Sequence, residues 1–145
     1  MSDLVVGYDA SECSKLALRE ACGLARQLGD RIVVVFGYAP GGYGGGEFPQ
    51  HREAVEEIGE KITAEAAERA ERAGVEHEVV LLPLKAEQAL IQVANERDAR
   101  MIVVGSYGEP PLRGVILGST PNKLLHLAER PVLVVPVGDQ PDAAQ

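Results

Sequence analysis

The sequence predicts an α/β fold with a single, doubly wound parallel sheet of five strands and four helices. Short runs rich in Val, Ile and Leu recur along the chain, and most of them lack the polar alternation of a half-exposed strand. Segments with apolar residues at helical spacing separate these runs. Alternation of strand and helix is typical of right-handed βαβ units, which build a sheet covered on both faces.

The strands and helices follow one another in order. The predicted strands are Leu4 to Tyr8, Ile32 to Tyr38, Val75 to Leu82, Met101 to Gly105 and Pro131 to Val137. The predicted helices are Cys13 to Leu28, Arg52 to Ala73, Glu87 to Arg97 and Pro121 to Ala128. Gly29 and Gly74 suit the left-handed residue that ends a helix, and Pro121 suits a first turn. Apolar spacing places Leu28, Ile58 and Leu125 on the buried faces of their helices.

Composition indicates one globular domain. The chain has 145 residues, of which 46% are hydrophobic and 25% charged. We expect a domain over residues 1–138 and a flexible tail over 139–145. No signal segment and no run of membrane-spanning length is recognisable, so we expect a cytoplasmic protein. The net charge of −8, without a basic cluster in the sequence, argues against nucleic acid or an anionic membrane as a partner.

The cysteines and histidines give no strong motif. Cys13 and Cys22 lie on opposite faces of one predicted helix, roughly 13 Å apart, so they cannot form a disulfide with each other. Cys13 has two interpretations, a small core residue or a redox-sensitive thiol in the first turn of its helix. The three histidines are too scattered to suggest a metal site.

The segment from Gly105 to Thr120, GSYGEPPLRGVILGST, predicts a phosphate site. Its glycines allow the backbone to approach a ligand closely, and Ser119 and Thr120 add hydroxyl donors. The donors come where a helix begins, and a helix N-terminus presents free N–H groups to an anion. The sequence has neither a P-loop lysine motif nor a dinucleotide fingerprint, so we expect no P-loop or NAD chemistry.

The spacing of this segment, Gly, two residues, Gly, nine residues, Gly-Ser, resembles the nucleotide loop of universal stress proteins of the ATP-binding type. VVGYDAS, from Val5 to Ser11, and RPVLVVP, from Arg130 to Pro136, also resemble the first and last strands of that family. The resemblance implies a Rossmann-like sheet with the strand order 3-2-1-4-5. In such a sheet ligands bind beyond the strand ends where the crossover direction reverses, here between strands 1 and 4.

The resemblance also implies roles for individual residues. Gly7 and Asp9 would flank a nucleoside, with Gly37 beside it at the end of strand 2. The triphosphate would be surrounded by Gly105, Gly108, Gly118, Ser119 and Thr120. A Mg²⁺ ion could accompany ATP, held mostly by phosphates and water.

Two charged residues keep alternative interpretations. Asp9 is either this ligand residue or a helix N-cap whose capping box Glu12 completes. Arg113, the only cation within the loop, either reaches phosphate oxygens or is simply solvated.

The resulting hypothesis is an ATP-binding stress-response sensor that signals by nucleotide occupancy, with ADP or AMP as other possible ligands. One alternative is a slow ATPase that uses the same crevice. Against it, the sequence offers no obvious catalytic lysine. Another is a nucleotide-free structural dimer, against which the glycine and serine positions argue. We expect a homodimer through the last strand, Pro131 to Val137, because it lies at the sheet edge. The glycine-rich segment from Pro40 to Pro49 is either a plain connector or a lid over the nucleotide.

Overall fold

The computed structural model of the protein describes residues 1–38, 49–106 and 118–137. The strands are β1 (Asp3–Gly7), β2 (Arg31–Gly37), β3 (His77–Leu82), β4 (Met101–Gly105) and β5 (Val132–Val135). The helices are α1 (Glu12–Leu28), α2 (Pro49–Arg72), α3 (Ala86–Glu96) and α4 (Ser119–Leu127). The segment from Pro40 to Pro49, except for its last residue, and the tail 139–145 lie outside the described residues.

The sheet is parallel and has the order β3-β2-β1-β4-β5. Its central strand, β1, pairs on one side with β2 and on the other with β4, so that Leu4 lies opposite both Ile32 and Met101. This arrangement confirms the predicted fold class and strand order. It also places β5 at one edge of the sheet, as expected from the sequence.

Helices cover both faces of the sheet. Alternate residues of β1 enter different cores: Leu4 and Val6 pack with α1 and α2, whereas Val5 packs with α3 and α4. Because both faces of the strand are buried, its sequence is a continuous apolar run rather than an alternating one.

Three predicted core positions are exposed, one of which is Leu28, the last residue of α1, at 44%. Ile58 and Leu125 each retain 55% of their surface area, although the apolar spacing predicted that both are buried. Leu125 follows the fully buried Leu124, and consecutive helix residues point about 100° apart, so α4 buries only one of them. Ile58 precedes Gly59 on α2, and it is Gly59 that faces the sheet, close to Phe36 and Leu81.

The glycines at two helix ends have the predicted conformation. Gly29 and Gly74 have φ angles of 74° and 73°, the left-handed region that glycine adopts at little cost. After Gly74 the N–H of Val75 still donates to Ala70, which is why β3 begins at His77 rather than at Val75.

Charged pairs gather at the amino ends of the strands. Asp3, which is buried, accepts hydrogen bonds from the guanidinium of Arg31 at 2.9 and 3.3 Å. Asp30, also buried, binds the guanidinium of Arg100 and the N–H of Ser2. These contacts join the starts of β1, β2 and β4, at the end of the sheet opposite to the predicted ligand crevice.

Both cysteines are buried and unpaired, which confirms that they form no disulfide with each other. Within the described ranges, no helix is long and apolar enough to cross a bilayer.

Candidate functional site

A crevice lies beyond the carboxyl ends of β1, β2 and β4, where the crossover direction reverses. Five of the predicted site residues line it: Gly7, Asp9, Gly37, Gly105 and Thr120. Two others, Gly118 and Ser119, begin α4 beside it without lining it. Gly108 and Arg113 lie outside the described residues. The fold therefore brings residues from both ends of the chain to one crevice. Before the structure, only the resemblance of their motifs to one family connected them.

The turn between β1 and α1 fixes Asp9 at the rim of the crevice. Its Oδ1 accepts the N–H of Ser11 at 2.9 Å, and its own N–H donates to Ser14 Oγ at 3.3 Å. Ala10 between them has a φ of 68°, an uncommon left-handed conformation for a residue with a Cβ. Asp9 itself is exposed, so its carboxylate can meet a ligand.

The N-cap of α1 is Ser11, not Asp9. Its side chain accepts the N–H of Ser14 at 3.2 Å. The capping-box prediction for Asp9 and Glu12 is therefore wrong. Glu12 is instead an exposed residue whose carboxylate lies 3.6 Å from Lys15 Nζ. The physical reason is the left-handed turn at Ala10, which places the N-cap two residues beyond Asp9.

The first turn of α4 forms the other wall of the crevice. Gly118 is its N-cap, and its N–H donates to the carbonyl of Ser106 at the end of β4. Thr120 and Pro121 line the crevice, and Ser119 is exposed. The amino ends of α1 and α4 thus both border the same space. Helix N-termini carry unpaired N–H groups and a partial positive charge, so this wall favours an anion.

Three glycines of the site have a packing reason that requires no ligand. A Cβ on Gly37 would lie 2.7 Å from the Leu84 carbonyl oxygen, and one on Gly105 would lie 2.8 Å from Cys13. A Cβ on Gly7 would lie 3.1 Å from the side chain of Leu90. Close backbone contacts therefore exclude a side chain at Gly37 and Gly105, whereas at Gly7 a small shift of Leu90 would be needed. The presence of glycine at Gly105 thus requires no phosphate ligand, contrary to the expectation from the sequence.

Tyr8 is a crevice residue that the sequence analysis missed. Its side chain is buried, and its hydroxyl donates a hydrogen bond to Glu65 of α2. Burial raises the pKa of Tyr8, and the hydrogen bond to Glu65 raises it further, whereas Arg69 acts in the opposite direction. Tyr8 is therefore a neutral hydroxyl that attaches the end of β1 to α2.

The other missed residues lie next to predicted ones or come from distant elements. They are Ser11, Ser14, Val35, Phe36, Ala86, Leu90, Val104 and Pro121. Most are the last residues of strands or the first of helices, positions that could have been identified once the sheet order was assumed. Leu90 could not, since only the packing of α3 against β1 brings it there.

Asp9 is the one charged side chain among the described residues of the crevice lining. No lysine or arginine of the described ranges lines it. Nor do the described residues include three or more His, Cys, Asp or Glu side chains grouped to hold a metal ion. The described lining thus offers N–H groups, hydroxyls, one carboxylate and apolar surface, which suits a ligand with both an apolar ring and polar substituents.

Three kinds of comparison with known proteins point to the same family. The family model for universal stress proteins matches residues 1–136. The universal stress protein YxiE of Bacillus subtilis is 30% identical over 146 residues, covering 91% of this chain and 97% of its own length. A universal stress protein structure from Archaeoglobus fulgidus superposes with a TM-score of 0.79 at 25% identity, covering 93% of this chain and 98% of that one.

A further solved structure, a universal stress protein in complex with cAMP, has a TM-score of 0.67 and 27% identity. It covers 92% of this chain and 95% of its own. Family model, curated relative and solved structures agree over nearly the full length, and the chain therefore belongs to the universal stress protein family.

Proposed function

We propose that the protein binds an adenine nucleotide in the crevice, with ATP as the preferred ligand, and that nucleotide occupancy is its signal in a stress response. One observation carries the proposal: the first turns of α1 and α4 and the exposed carboxylate of Asp9 border one crevice at the reversal point of the sheet. The similar protein whose structure contains cAMP supports an adenine nucleotide as the ligand class.

The two ends of the proposed ligand meet different surfaces. The nucleoside lies against Gly7, Gly37 and the apolar side chains of Val35 and Leu90, with its ribose hydroxyls near Asp9. Carboxylates are good acceptors for such hydroxyls.

The phosphates lie at the first turn of α4, near Gly105, Gly118, Ser119 and Thr120. Gly108 and Arg113 belong to the proposed phosphate site by their place in the sequence motif. Mg²⁺, where present, is held mainly by phosphate oxygens and water, as is usual for this ion.

Calorimetric titration tests the proposal. Protein freed of copurified nucleotide is titrated with ATP, ADP, AMP, cAMP and GTP, with and without Mg²⁺. We expect saturable binding of one ATP per chain and weaker binding of GTP. An absence of binding by every adenine nucleotide would overturn the proposal. Phosphate release by the same sample distinguishes a sensor from a slow ATPase, because only the enzyme turns over bound ATP.

The nucleotide-free dimer is the second candidate, and one observation favours it. Because packing already requires glycine at Gly37 and Gly105, their presence does not by itself indicate a ligand. A dimer by light scattering, together with no nucleotide binding in the titration, is the result that this alternative predicts.

We also propose a homodimer through the last strand, Pro131 to Val137. β5 is an edge strand, and Leu125 and Leu127 on the adjacent helix α4 are 55% and 59% exposed. Exposed apolar groups beside the edge strand of a sheet favour association. A cytoplasmic location is proposed as well, since two unpaired thiols suit a reducing compartment.

A further inference from the structure

A second cavity lies between α1 and α2, with a volume of about 550 Å³. None of the described residues that line it also lines the crevice. Its rims carry basic side chains from both helices, and we call it the basic groove. The basic residues are Lys15, Arg19, Arg26, Arg69 and Arg72. The groove is thus a separate surface on the outer side of the helical layer.

The charge of the basic groove is opposite to that of the whole protein. The chain has 14 Lys and Arg residues against 22 Asp and Glu, and five of the 14 line this one cavity. Glu12 is the single carboxylate among the described residues that line it. No basic run exists in the sequence, so it is the pairing of α1 with α2 that assembles this positive surface. A local concentration of cations on an acidic protein attracts anionic groups to one place.

Helical spacing produces the two basic rims. Lys15, Arg19 and Arg26 recur at intervals of four and seven residues, which places them along one side of α1. Arg69 and Arg72 are three residues apart on the last turns of α2. The two rims therefore run beside the same cavity rather than pointing in unrelated directions.

Little of this positive charge is neutralised. Among the described residues, Arg19 makes no ion pair. Arg72 pairs with Glu68 at 3.6 Å, and both of these side chains are about 70% exposed. The partner of Lys15 is Glu12, whose side chain is 87% exposed. Exposed pairs of this kind contribute little and are readily exchanged for another carboxylate.

The floor of the basic groove is partly apolar. Leu16, Cys22 and Ala73 line it between the charged rims. Arg26 donates a hydrogen bond to the carbonyl of Ala73 at 3.0 Å and so holds the ends of the two helices together. A polyphosphate or a nucleic acid backbone offers only anions to such a surface. A peptide with both apolar and acidic side chains matches the floor as well as the rims.

We propose that the basic groove is a docking surface for an acidic amphipathic peptide segment of a partner protein. Carboxylates of the segment bind the arginines of the rims, and its apolar side chains cover the floor. Arginine favours this chemistry because its planar guanidinium binds a carboxylate through two hydrogen bonds. A second copy of this chain is not the occupant that we assign to the groove, because the homodimer proposed above uses the edge strand β5 instead.

Fluorescence anisotropy with the full chain tests this proposal. The probe is a labelled synthetic peptide of about 15 residues with Glu and Leu at helical spacing. The comparison probe carries Lys in place of Glu. We expect the acidic peptide to bind, with an affinity that falls as salt is added, and the basic peptide not to bind.

Charge reversal identifies the surface. Arg19→Glu is expected to weaken binding of the acidic peptide by about tenfold or more, as loss of a charge pair does at protein interfaces. Lys61→Glu is the matched control, because Lys61 is an exposed residue of α2 that does not line the groove. The affinity of Lys61→Glu for the acidic peptide is expected to stay within about twofold of that of the wild type. Arg72→Glu provides a second test if Arg19→Glu does not fold.

Three results would overturn the proposal. One is the absence of binding by the wild-type chain. Another is equal loss in Lys61→Glu and Arg19→Glu, which would indicate a general charge effect. The third is displacement of the peptide by inorganic polyphosphate or single-stranded DNA at equal anion concentration, which would show that the groove selects charge alone. Nucleotide titration of the same variants is independent, so failure here leaves the proposed function unaffected.

Discussion

Glycine occupies two contrasting environments in this protein. A methyl group on Gly37 would meet backbone atoms, the Leu84 oxygen at 2.7 Å and the Ala86 Cα at 3.0 Å, whereas one on Gly23 meets no atom within 4 Å. We expect Gly37→Ala to lower the free energy of unfolding by about 1–3 kcal/mol, since backbone cannot move aside easily. Gly23→Ala, within α1, is expected to raise it by about 0.5–1 kcal/mol. Urea denaturation measures both, and destabilisation of similar size in the two variants would contradict this account.

Asp9 permits a test that separates its two possible roles. Asp9→Asn retains an oxygen that can accept the Ser11 N–H but removes the charge, whereas Asp9→Ala removes both. If the carboxylate binds the nucleotide, both variants weaken ATP affinity, with the Asn variant losing about tenfold. Only the Ala variant is expected to lose stability. Titration calorimetry and thermal denaturation give the two readouts, and wild-type affinity in Asp9→Asn would limit Asp9 to shaping the turn.

Part of the site could be predicted residue by residue, and part could not. Gly7, Asp9 and Gly105 were predictable because they end or follow apolar strands whose ends meet in a parallel sheet. The contact of Tyr8 with Glu65 joins residues 57 positions apart, and no local pattern encodes such a contact. Gly7, Gly37 and Gly105 line the crevice, but the steric reason for glycine there could not be predicted, because their close neighbours come from other parts of the fold.

At the scale of elements, the composition predicted the positions of the strands better than the apolar spacing predicted the buried faces of the helices. β4 has its predicted bounds, because its apolar run begins after charged residues and ends at Gly105. α4 begins at Ser119, two residues before its predicted start, since Gly118 is the N-cap and Pro121 still lies within the first turn. Ile58 and Leu125 were assigned to buried faces because spacing alone does not show how wide the covered arc is.

The edge of the sheet at β5 gives an element-scale prediction. Leu127→Glu places a charge beside the proposed dimer strand, where the wild-type side chain is 59% exposed. We expect it to convert a dimer into a monomer in light scattering, because an unpaired charge is costly at an apolar interface. Leu28→Glu is the control, as Leu28 is an exposed leucine at the end of α1. A monomeric wild type, or dissociation in both variants, would contradict the proposed interface.

At the scale of the whole molecule, Asp30 links stability to pH. Its hydrogen bond with Arg100, whose Nε lies 2.5 Å from Oδ2, holds the pKa of this buried carboxyl below its usual value. A depressed folded-state pKa contributes stability that is complete above the unfolded pKa of about 3.9 and is lost as the pH falls through the folded-state pKa. We therefore expect acid to destabilise the wild type partly through Asp30.

The variant Asp30→Asn tests this assignment. It is expected to lower the free energy of unfolding at pH 7 by roughly 1–3 kcal/mol and to reduce the decline below about pH 4. Asp98→Asn is the matched control, since Asp98 pairs with Arg130 but its side chain is 95% exposed, and its effect should stay below about 0.5 kcal/mol. Urea denaturation across a pH series measures both. An unchanged pH profile in Asp30→Asn would show that other carboxyls dominate acid unfolding.

The central position of β1 determines the order in which the molecule can assemble. β1 precedes the other four strands of the described sheet, yet one of its two partners, β4, begins only at Met101. Contacts between residues so distant in sequence form slowly, because the intervening chain must first lose its freedom. Until Gly105 has left the ribosome, one edge of β1 has no strand to pair with. The crevice between β1 and β4 is therefore one of the last features of the protein to form.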